Sequence, residues 1–448
     1  MHSFASAADL TAAHVMAAIA AILLTGAALA ALARRFGQPP VIGEIAAGIV
    51  LGPSLLGLLP GNPSATLFPT AIRPMLGAVS QFGLLLFLFL IGWEFNKSLI
   101  HRNRASAGLI SISSVLVAFG LGAALALALY GNHDRIDGQS IDRTGFVLFI
   151  GAAMAITAFP VLARILGDSG LMHTRVGALA LAGAAVDDVI AWCLLAFVSA
   201  TVTASGPGDL LTILALAAAY VAVMFLAVRP FLKLLVTRLA GNGRTSYLLP
   251  VLAAGVFLSA YATTWIGIHA IFGAFLFGFV MPREIPAGPD RLSFFPLNDL
   301  RQALEGIAAV ALPVFFIITG LGVDITALTS RNYLELAAVL TVACAGKFIG
   351  ACLPAALNRR RLDMPWREIG ILGVLMNTRG LTELIILNAG VQLGVLDTQM
   401  FTMLVLMALF TTALAGPLLP RLLQHPLNTK NTEDTQNPAH EQRTPVGA

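Results

Sequence analysis

From Val15 to Ala33 the chain carries no charged residue, and apolar runs of similar length recur as far as residue 421. A run of about 20 apolar residues is what an α-helix needs to cross the hydrocarbon core of a bilayer. The chain therefore reads as an all-α polytopic membrane protein. Composition agrees where it bears on this point. Charged residues make up 11% of the 448 residues, against roughly 25% in soluble domains. So few charges cannot cover a water-facing surface, and lipid must solvate much of the chain.

Hydropathy and helix breakers predict about 13 transmembrane helices, over 13–33, 39–59, 76–96, 107–130, 144–166, 175–203, 208–228, 246–264, 267–282, 306–326, 333–356, 367–392 and 398–421. The span at 267–282 is short. Residues 286–305 mix apolar and charged side chains and read as an amphipathic helix on the membrane surface. Residues 422–448 are polar and read as a disordered cytoplasmic tail after a membrane domain over 1–421. Met1 to Ala13 has no Lys or Arg, so the basic start of a signal peptide is missing, and the first span reads as retained. The three cysteines, Cys193, Cys344 and Cys352, all lie in apolar runs and read as small buried hydrophobes, with no metal-ligand spacing.

The basic residues sort by loop. Odd-numbered loops and the tail hold 21 Lys and Arg, even-numbered loops hold 4, and Lys347 and Arg379 fall inside spans. Cytoplasmic loops are the basic ones. This puts the odd loops inside, the N-terminus outside and the C-terminus in the cytoplasm. The net charge of +4 is thereby spent on orientation, and no nucleic-acid partner is expected. Weak internal matches align Gly92 with Gly320, Gly52 with Gly278 and Thr157 with Thr378. A displacement of seven helices reverses orientation. The expected architecture is two inverted six-helix repeats, about 13–203 and about 246–421, joined by a linker helix at about 208–228.

The chemistry concentrates in a few polar residues inside spans. Asp187 and Asp188 sit midway along LALAGAAVDDVIAWCLLAF (179–197). A charge at mid-bilayer costs at least about 2.5–3.5 kcal/mol, and adjacent carboxylates repel. Such a pair can hold a hard cation through oxygen, or a proton in its place, and an exchanger of the two needs both at one site. Neighbours on a helix point about 100° apart, so one aspartate can face the ion while the other meets a fixed partner. Lys347, near the middle of the eleventh span, needs a counter-charge, and an aspartate is the obvious one. Pro160 interrupts ITAFPVL (156–162) in the fifth span. In the twelfth, MNTRGLTEL (376–384) places Asn377, Thr378, Arg379, Gly380 and Glu383 within an apolar run. Corresponding breaks in two halves free carbonyls and amides that can line an ion site, with Thr157, Asn377 and Thr378 adding side-chain oxygens. Arg379 and Glu383 are four apart and can pair, or Arg379 can offset exposed helix ends. Glu44 reads as a residue of the cytoplasmic entrance, or as merely interfacial. Glu94, Asn96 and Asp324 read as helix-end residues, and His269 as structural.

The strings PPVIGEIAAGIVLGPSLLG (39–57), GAAMAITAFPVLARIL (151–166), GAAVDDVIAW (183–192), GIHAIFGAFLFGFVMP (267–282) and MNTRGLTELIILNAG (376–390) together resemble the monovalent cation:proton antiporter family. The likeness is to its second subfamily of bacterial sodium/proton and potassium/proton exchangers, and within that to the branch of plant cation/proton exchangers. It covers about residues 30–420. The resemblance implies the sodium/proton antiporter fold, in which discontinuous crossing helices sit in a six-helix core that moves against a dimerisation domain. It implies a homodimer in a membrane, most simply the bacterial inner membrane. It implies no cofactor beyond the transported Na+ or K+ and H+. Residue by residue, Asp188 matches the carboxylate carrying cation or proton, Asp187 the neighbour that pairs with the membrane lysine, here Lys347, and Thr157 and residues 377–380 the crossing. The resemblance also implies electrogenic exchange, since in the family a pair of adjacent aspartates is associated with it. TRGLTE departs from the PRGE-like string of many relatives, which weakens any role carried over to Glu383. No regulatory domain is expected after the membrane part.

Two other readings stand beside antiport. A sodium-coupled organic-solute symporter can be built on the same fold. An intramembrane aspartyl protease also uses buried aspartates, and GLGVD (320–324) loosely echoes its motif. The protease needs no lysine and no repeat.

Overall fold

The computed structural model describes residues 7–94, 104–136, 138–172, 174–241, 247–282 and 295–423. Asn96, residues 286–294 and the tail from 424 lie outside the described residues. Every expected apolar run forms helix. The first half holds α1 (Ala7–Arg35), α2 (Pro40–Leu51), the short α3 (Pro63–Leu67), α4 (Arg73–Glu94), α5 (Arg104–Leu129), the pair α6 (Arg143–Ala155) and α7 (Phe159–Asp168), and α8 (Arg175–Thr203). Next come α9 (Pro207–Val223) and α10 (Arg229–Gly241). The second half holds α11 (Leu248–Ile266), α12 (Ala270–Val280), α13 (Phe295–Leu321), α14 (Ser330–Leu357), the one-turn α15 (Arg359–Leu362), the pair α16 (Trp366–Met376) and α17 (Leu381–Gln392), and α18 (Thr398–Leu423). Among the described residues, 10 helices are long and apolar enough to cross a membrane. The expected spans at 144–166 and 367–392 are instead two half-helices each, and 267–282 is the short α12. A two-stranded hairpin, β1 (Arg135–Ile136) with β2 (Gln139–Ser140), lies in the α5–α6 connection.

Capping sets the starts of the helices that carry the site. The Asp142 carboxylate accepts from the Gly145 N–H at 2.6 Å, and the Thr174 hydroxyl from the Gly177 N–H at 3.1 Å. Each satisfies one of the orphan donors of a first turn.

Two expected boundaries are wrong. The linker helix does not stop at 228. A π-helical turn over Met224–Val228 carries the chain from α9 into α10 without a break. The wider turn admits Pro230, which lacks the N–H an α-turn would use. The surface helix expected at 286–305 is not separate over its described part either, because α13 runs unbroken from Phe295 to Leu321. Pro296 sits in its first turn, where proline is tolerated.

The helices form two groups. In one, α2 packs on α1 and α13, and α12 packs on α11 and α4. In the other, α5 packs on α14, α6 and α8, and α14 packs on α16 and α18. Matching close contacts recur in the first group. A Cβ on Gly320 would lie 2.3 Å from the Ile45 carbonyl oxygen, and one on Gly92 2.2 Å from that of Phe275. A Cβ on Gly48 would lie 2.2 Å from the Ile317 oxygen, and one on Gly278 2.0 Å from that of Phe89. Gly92 and Gly320 thus do the same work, as their alignment predicts. Gly278 corresponds to Gly48, however, and not to Gly52: the expected register was off by one helical turn.

Candidate functional site

The two interrupted helices meet in the second group. α6 ends at Ala155, and α7 begins at Phe159 with Pro160 in its first turn. α16 ends at Met376, and α17 begins at Leu381. The intervening segments touch each other through the backbone, where the Ala158 N–H donates to the Thr378 carbonyl at 3.2 Å. The Thr157 hydroxyl lies 2.8 Å from the Met376 carbonyl oxygen. Gly380 permits this approach, since a Cβ there would stand 2.4 Å from the Val161 side chain. Both expected breaks are present, and the structure brings Thr157, Thr378 and Gly380 together at a crossing.

Asp187 projects from α8 into this crossing and is fully buried. Lys347 from α14 donates to its Oδ2 at 2.8 Å, and the Thr157 hydroxyl reaches the same oxygen at 2.9 Å. The Ser111 hydroxyl of α5 donates to Oδ1. Lys347, also fully buried, donates in addition to the Ser114 hydroxyl at 3.2 Å. The pair is therefore charge-matched and hydrogen-bonded on every side the described residues offer, which a buried ion pair requires.

The α5–α14 packing delivers the lysine. Gly346 and Gly350 flank Lys347 at the spacing that lets membrane helices approach closely. A Cβ on Gly350 would lie 2.7 Å from the Ser114 Cα, and one on Gly346 3.0 Å from the Ala118 Cα. Sequence reading missed Ser111 and Ser114. The G-x-x-x-G string around a charged residue, facing small residues in SISSVLVA (111–118), was the available signal.

Arg379 acts at the other side of the crossing. Its guanidinium donates to the Ala153 and Met154 carbonyls, each at 2.7 Å, and to Glu383 Oε2 at 2.9 Å. Ala153 and Met154 close α6, whose last carbonyls have no helical partner. A cation there also opposes the negative end of the helix dipole. The i,i+4 pairing and the helix-end role are thus both present, in one side chain that is fully buried. The Thr412 hydroxyl of α18 holds the Arg379 carbonyl at 2.8 Å.

Asp188 is different. It is 5% exposed and makes no ion pair among the described residues. The backbone N–H of Phe159, the first residue of α7, donates to its carboxylate. Its Oδ1 has no hydrogen-bond partner. With Asp187 matched by Lys347 and Glu383 by Arg379, Asp188 is the carboxylate of this cluster left without a cation. A bare buried carboxylate is costly. Chemically it calls for a proton or a cation, and the N-terminus of α7 adds a favourable dipole when it is charged.

Of the other sequence-derived residues, Asn377 lies in the α16–α17 break and the rest lie away from the crossing. Glu44 is half-buried on α2, which packs on α1 and α13 and not on the crossing. Asn377 donates to Cys344 Sγ at 3.6 Å, and its own oxygen has no partner. Glu94 pairs with Arg301, and Asp324 caps the turn at Ile325–Ala327. His269 caps α12 and contacts Gln392 of α17 at 2.9 Å.

Comparison with known proteins bears on this geometry. The family described as "Sodium/hydrogen exchanger, transmembrane" matches residues 19–425. The Na(+)/H(+) antiporter NhaS4 of Synechocystis sp. is 39% identical over 92% of this chain and 98% of that protein. Cation/H(+) antiporter 20 of Arabidopsis thaliana is 37% identical over 89% of this chain and 47% of that protein. K(+)/H(+) antiporter 1 of Saccharomyces cerevisiae is 34% identical over 85% and 43%. The chain thus spans nearly all of the cyanobacterial relative and less than half of the plant and yeast ones. The sodium proton antiporter MjNhaP1 of Methanocaldococcus jannaschii superposes with a TM-score of 0.60 over 91% of this chain and 96% of that one. At 14% identity, that likeness speaks for the fold.

Proposed function

The chain belongs to the sodium/hydrogen exchanger family, and from that premise we propose that it is a secondary active antiporter exchanging a monovalent cation, Na+ or K+, for protons by alternating access. The observation that carries this reading is the isolation of Asp188. At a crossing of two broken helices, among the described residues, every other buried charge has its counter-charge, and Asp188 has only the Phe159 N–H. Asp188 binds the cation or the proton, one excluding the other. Asp187 and Lys347 form the fixed pair beside it. Thr157, Asn377, Thr378 and Gly380 shape the crossing. Arg379, paired with Glu383, neutralises the end of α6.

The protein is an integral membrane transporter, and nothing favours the symporter or protease readings. We place it in a bacterial inner membrane, in keeping with the cyanobacterial relative. The basic inner loops support an external N-terminus and a cytoplasmic C-terminus. The recurrent glycine contacts support two inverted repeats, and the two helix groups support a core moving against a scaffold, with the scaffold forming a homodimer. Glu44 stands at the cytoplasmic approach.

The test is cation-driven proton flux in proteoliposomes, with sodium, potassium, lithium and rubidium in turn. Asp188→Asn abolishes flux for each of them. Flux at the wild-type rate in that variant would overturn the site.

A further inference from the structure

A second titratable cluster lies outside the crossing, at the hairpin between α5 and α6. His133 is fully buried there, and both its ring nitrogens face carboxylates. Nδ1 stands 2.6 Å from Asp397 Oδ2, at the start of α18, and Nε2 3.1 Å from Glu335 Oε2, in the second turn of α14. A neutral imidazole has one N–H and one lone pair, so it can satisfy only one of these contacts. Both are satisfied only by the imidazolium. In that form His133 joins three segments that are far apart in sequence: the α5–α6 hairpin, α14 and α18.

The surrounding groups show what its loss would release. Glu335 has other partners: Asn132 donates to it at 2.7 Å, Asn332 at 2.9 Å, and Arg331 stands 3.5 Å away. Among the described residues, Asp397 has the Met400 N–H on Oδ1 and only His133 on Oδ2. Asp397 also lines a cavity of about 630 Å³ together with Asn132, Arg135, Asn388 and Gln399, and with Ile318 of α13 and Gly322 just beyond its end. Among the described residues of the α5–α6 connection and the start of α6, the neighbouring charges are Asp134, Arg135, Asp142 and Arg143. Asp142 is engaged as the cap of α6, and Arg143 lies over the Tyr130 ring. Charge therefore changes at His133 next to a cavity that runs between the two helix groups.

We propose that His133 is a pH-sensitive staple on the hairpin face of the membrane. Protonated, it ties α14 and α18 to the hairpin; deprotonated, it frees one carboxylate, adds a negative charge beside the cavity and speeds cation entry. Burial alone would lower the His133 pKa, but its hydrogen bonds and attraction to Asp397 and Glu335 outweigh that and raise it above the ordinary histidine value. The staple thus lets go only as pH rises past the ordinary histidine range. Its readout rests on the antiport reading above, so the experiment separates the two.

The experiment is proteoliposome flux with the pH of each compartment varied independently from about 6 to about 9, using wild type, His133→Gln, Asp397→Asn and Asp188→Asn. Expected is a several-fold rise in wild-type flux as pH rises on the hairpin side. In His133→Gln that ratio falls towards one, while the response to pH on the opposite side is unchanged. Asp397→Asn blunts the rise as well, since no freed carboxylate reaches the cavity. A His133→Gln profile that tracks wild type overturns the staple. So does a loss of response on both sides, which would mark general damage. Should His133→Gln not fold, Asp397→Asn decides alone: a full wild-type rise there also overturns it. Asp188→Asn tests antiport separately, because flux in that variant would refute the carrier and leave the staple's pH response standing.

Discussion

Asp187 and Asp188 are adjacent in sequence, of the same residue type and both buried, yet the structure assigns them opposite energetics. In Asp187→Asn, the fully buried Lys347 ammonium keeps an amide oxygen and the Ser114 hydroxyl but loses its only hydrogen-bonded counter-charge. Breaking a buried pair from one side costs about 3–5 kcal/mol, a large part of the roughly 5–15 kcal/mol that holds a typical domain folded. Asp188→Asn removes a carboxylate that has no cationic partner, and the new amide oxygen can still accept from Phe159. Stability should hold or rise. The double variant Asp187→Asn/Lys347→Met removes both charges and should recover most of the loss. Equilibrium unfolding in mixed micelles gives the three values, and proteoliposome flux on the same preparations gives the functional contrast. Exchange vanishes in Asp188→Asn and persists in part in Asp187→Asn. If Asp187→Asn is no less stable than Asp188→Asn, or the double variant is no better than the single, the division of labour is wrong.

Other perturbations test the supports. Gly350→Ala puts a Cβ against the Ser114 backbone at 2.7 Å and should cost about 1–3 kcal/mol together with flux, whereas Gly108→Ala, on the same α5 with nothing within 4 Å, should change neither. Arg379→Lys loses the fork that spans two carbonyls and Glu383. About 2 kcal/mol of unfolding free energy should go with it, and an unchanged value would refute the capping role. Because the folded-state pKa of His133 is raised, its contribution to stability is complete below the ordinary histidine value of about 6.5 and lost as pH rises through the raised value. The melting temperature of wild type should therefore fall over that window relative to His133→Gln, and parallel curves would count against it.

The parts legible in sequence are those where one residue type has few permissible environments. A charge in an apolar run must be paired or functional, which isolated Asp187, Asp188, Lys347 and Arg379. Proline and glycine in such runs located both breaks. The illegible parts involve residues that fit many environments. Ser111 and Ser114 are unremarkable in an apolar helix, and only the close α14 packing makes them partners of the buried pair. His133, Glu335 and Asp397 lie 202 and 62 residues apart in the chain, each in a connection or near a helix end where polar residues are ordinary. Their convergence comes from tertiary packing. The register of the repeat failed for a related reason. Gly48 and Gly52 are one turn apart on the same face, and apolar strings cannot distinguish them, whereas the carbonyl that each glycine touches can.

Charge matching at the crossing constrains the transport cycle on the proposed mechanism. Lys347 offsets Asp187, and Arg379 offsets Glu383, so neither pair changes the net charge as long as it stays intact. Asp188 is neutralised alike by a monovalent cation or by a proton. An exchange using Asp188 alone would move equal charge in both directions and would generate no current. Electrogenic exchange, which the resemblance leads us to expect, needs a second proton from elsewhere in the site. The Asp187–Lys347 pair is the nearest source, with the Ser111 and Thr157 hydroxyls donating to Asp187 and the Ser114 hydroxyl accepting from Lys347. The double variant Asp187→Asn/Lys347→Met removes that source while leaving Asp188 in place. Flux in that variant should survive and lose its dependence on an imposed membrane potential. An electrogenic double variant would place the second proton outside this pair.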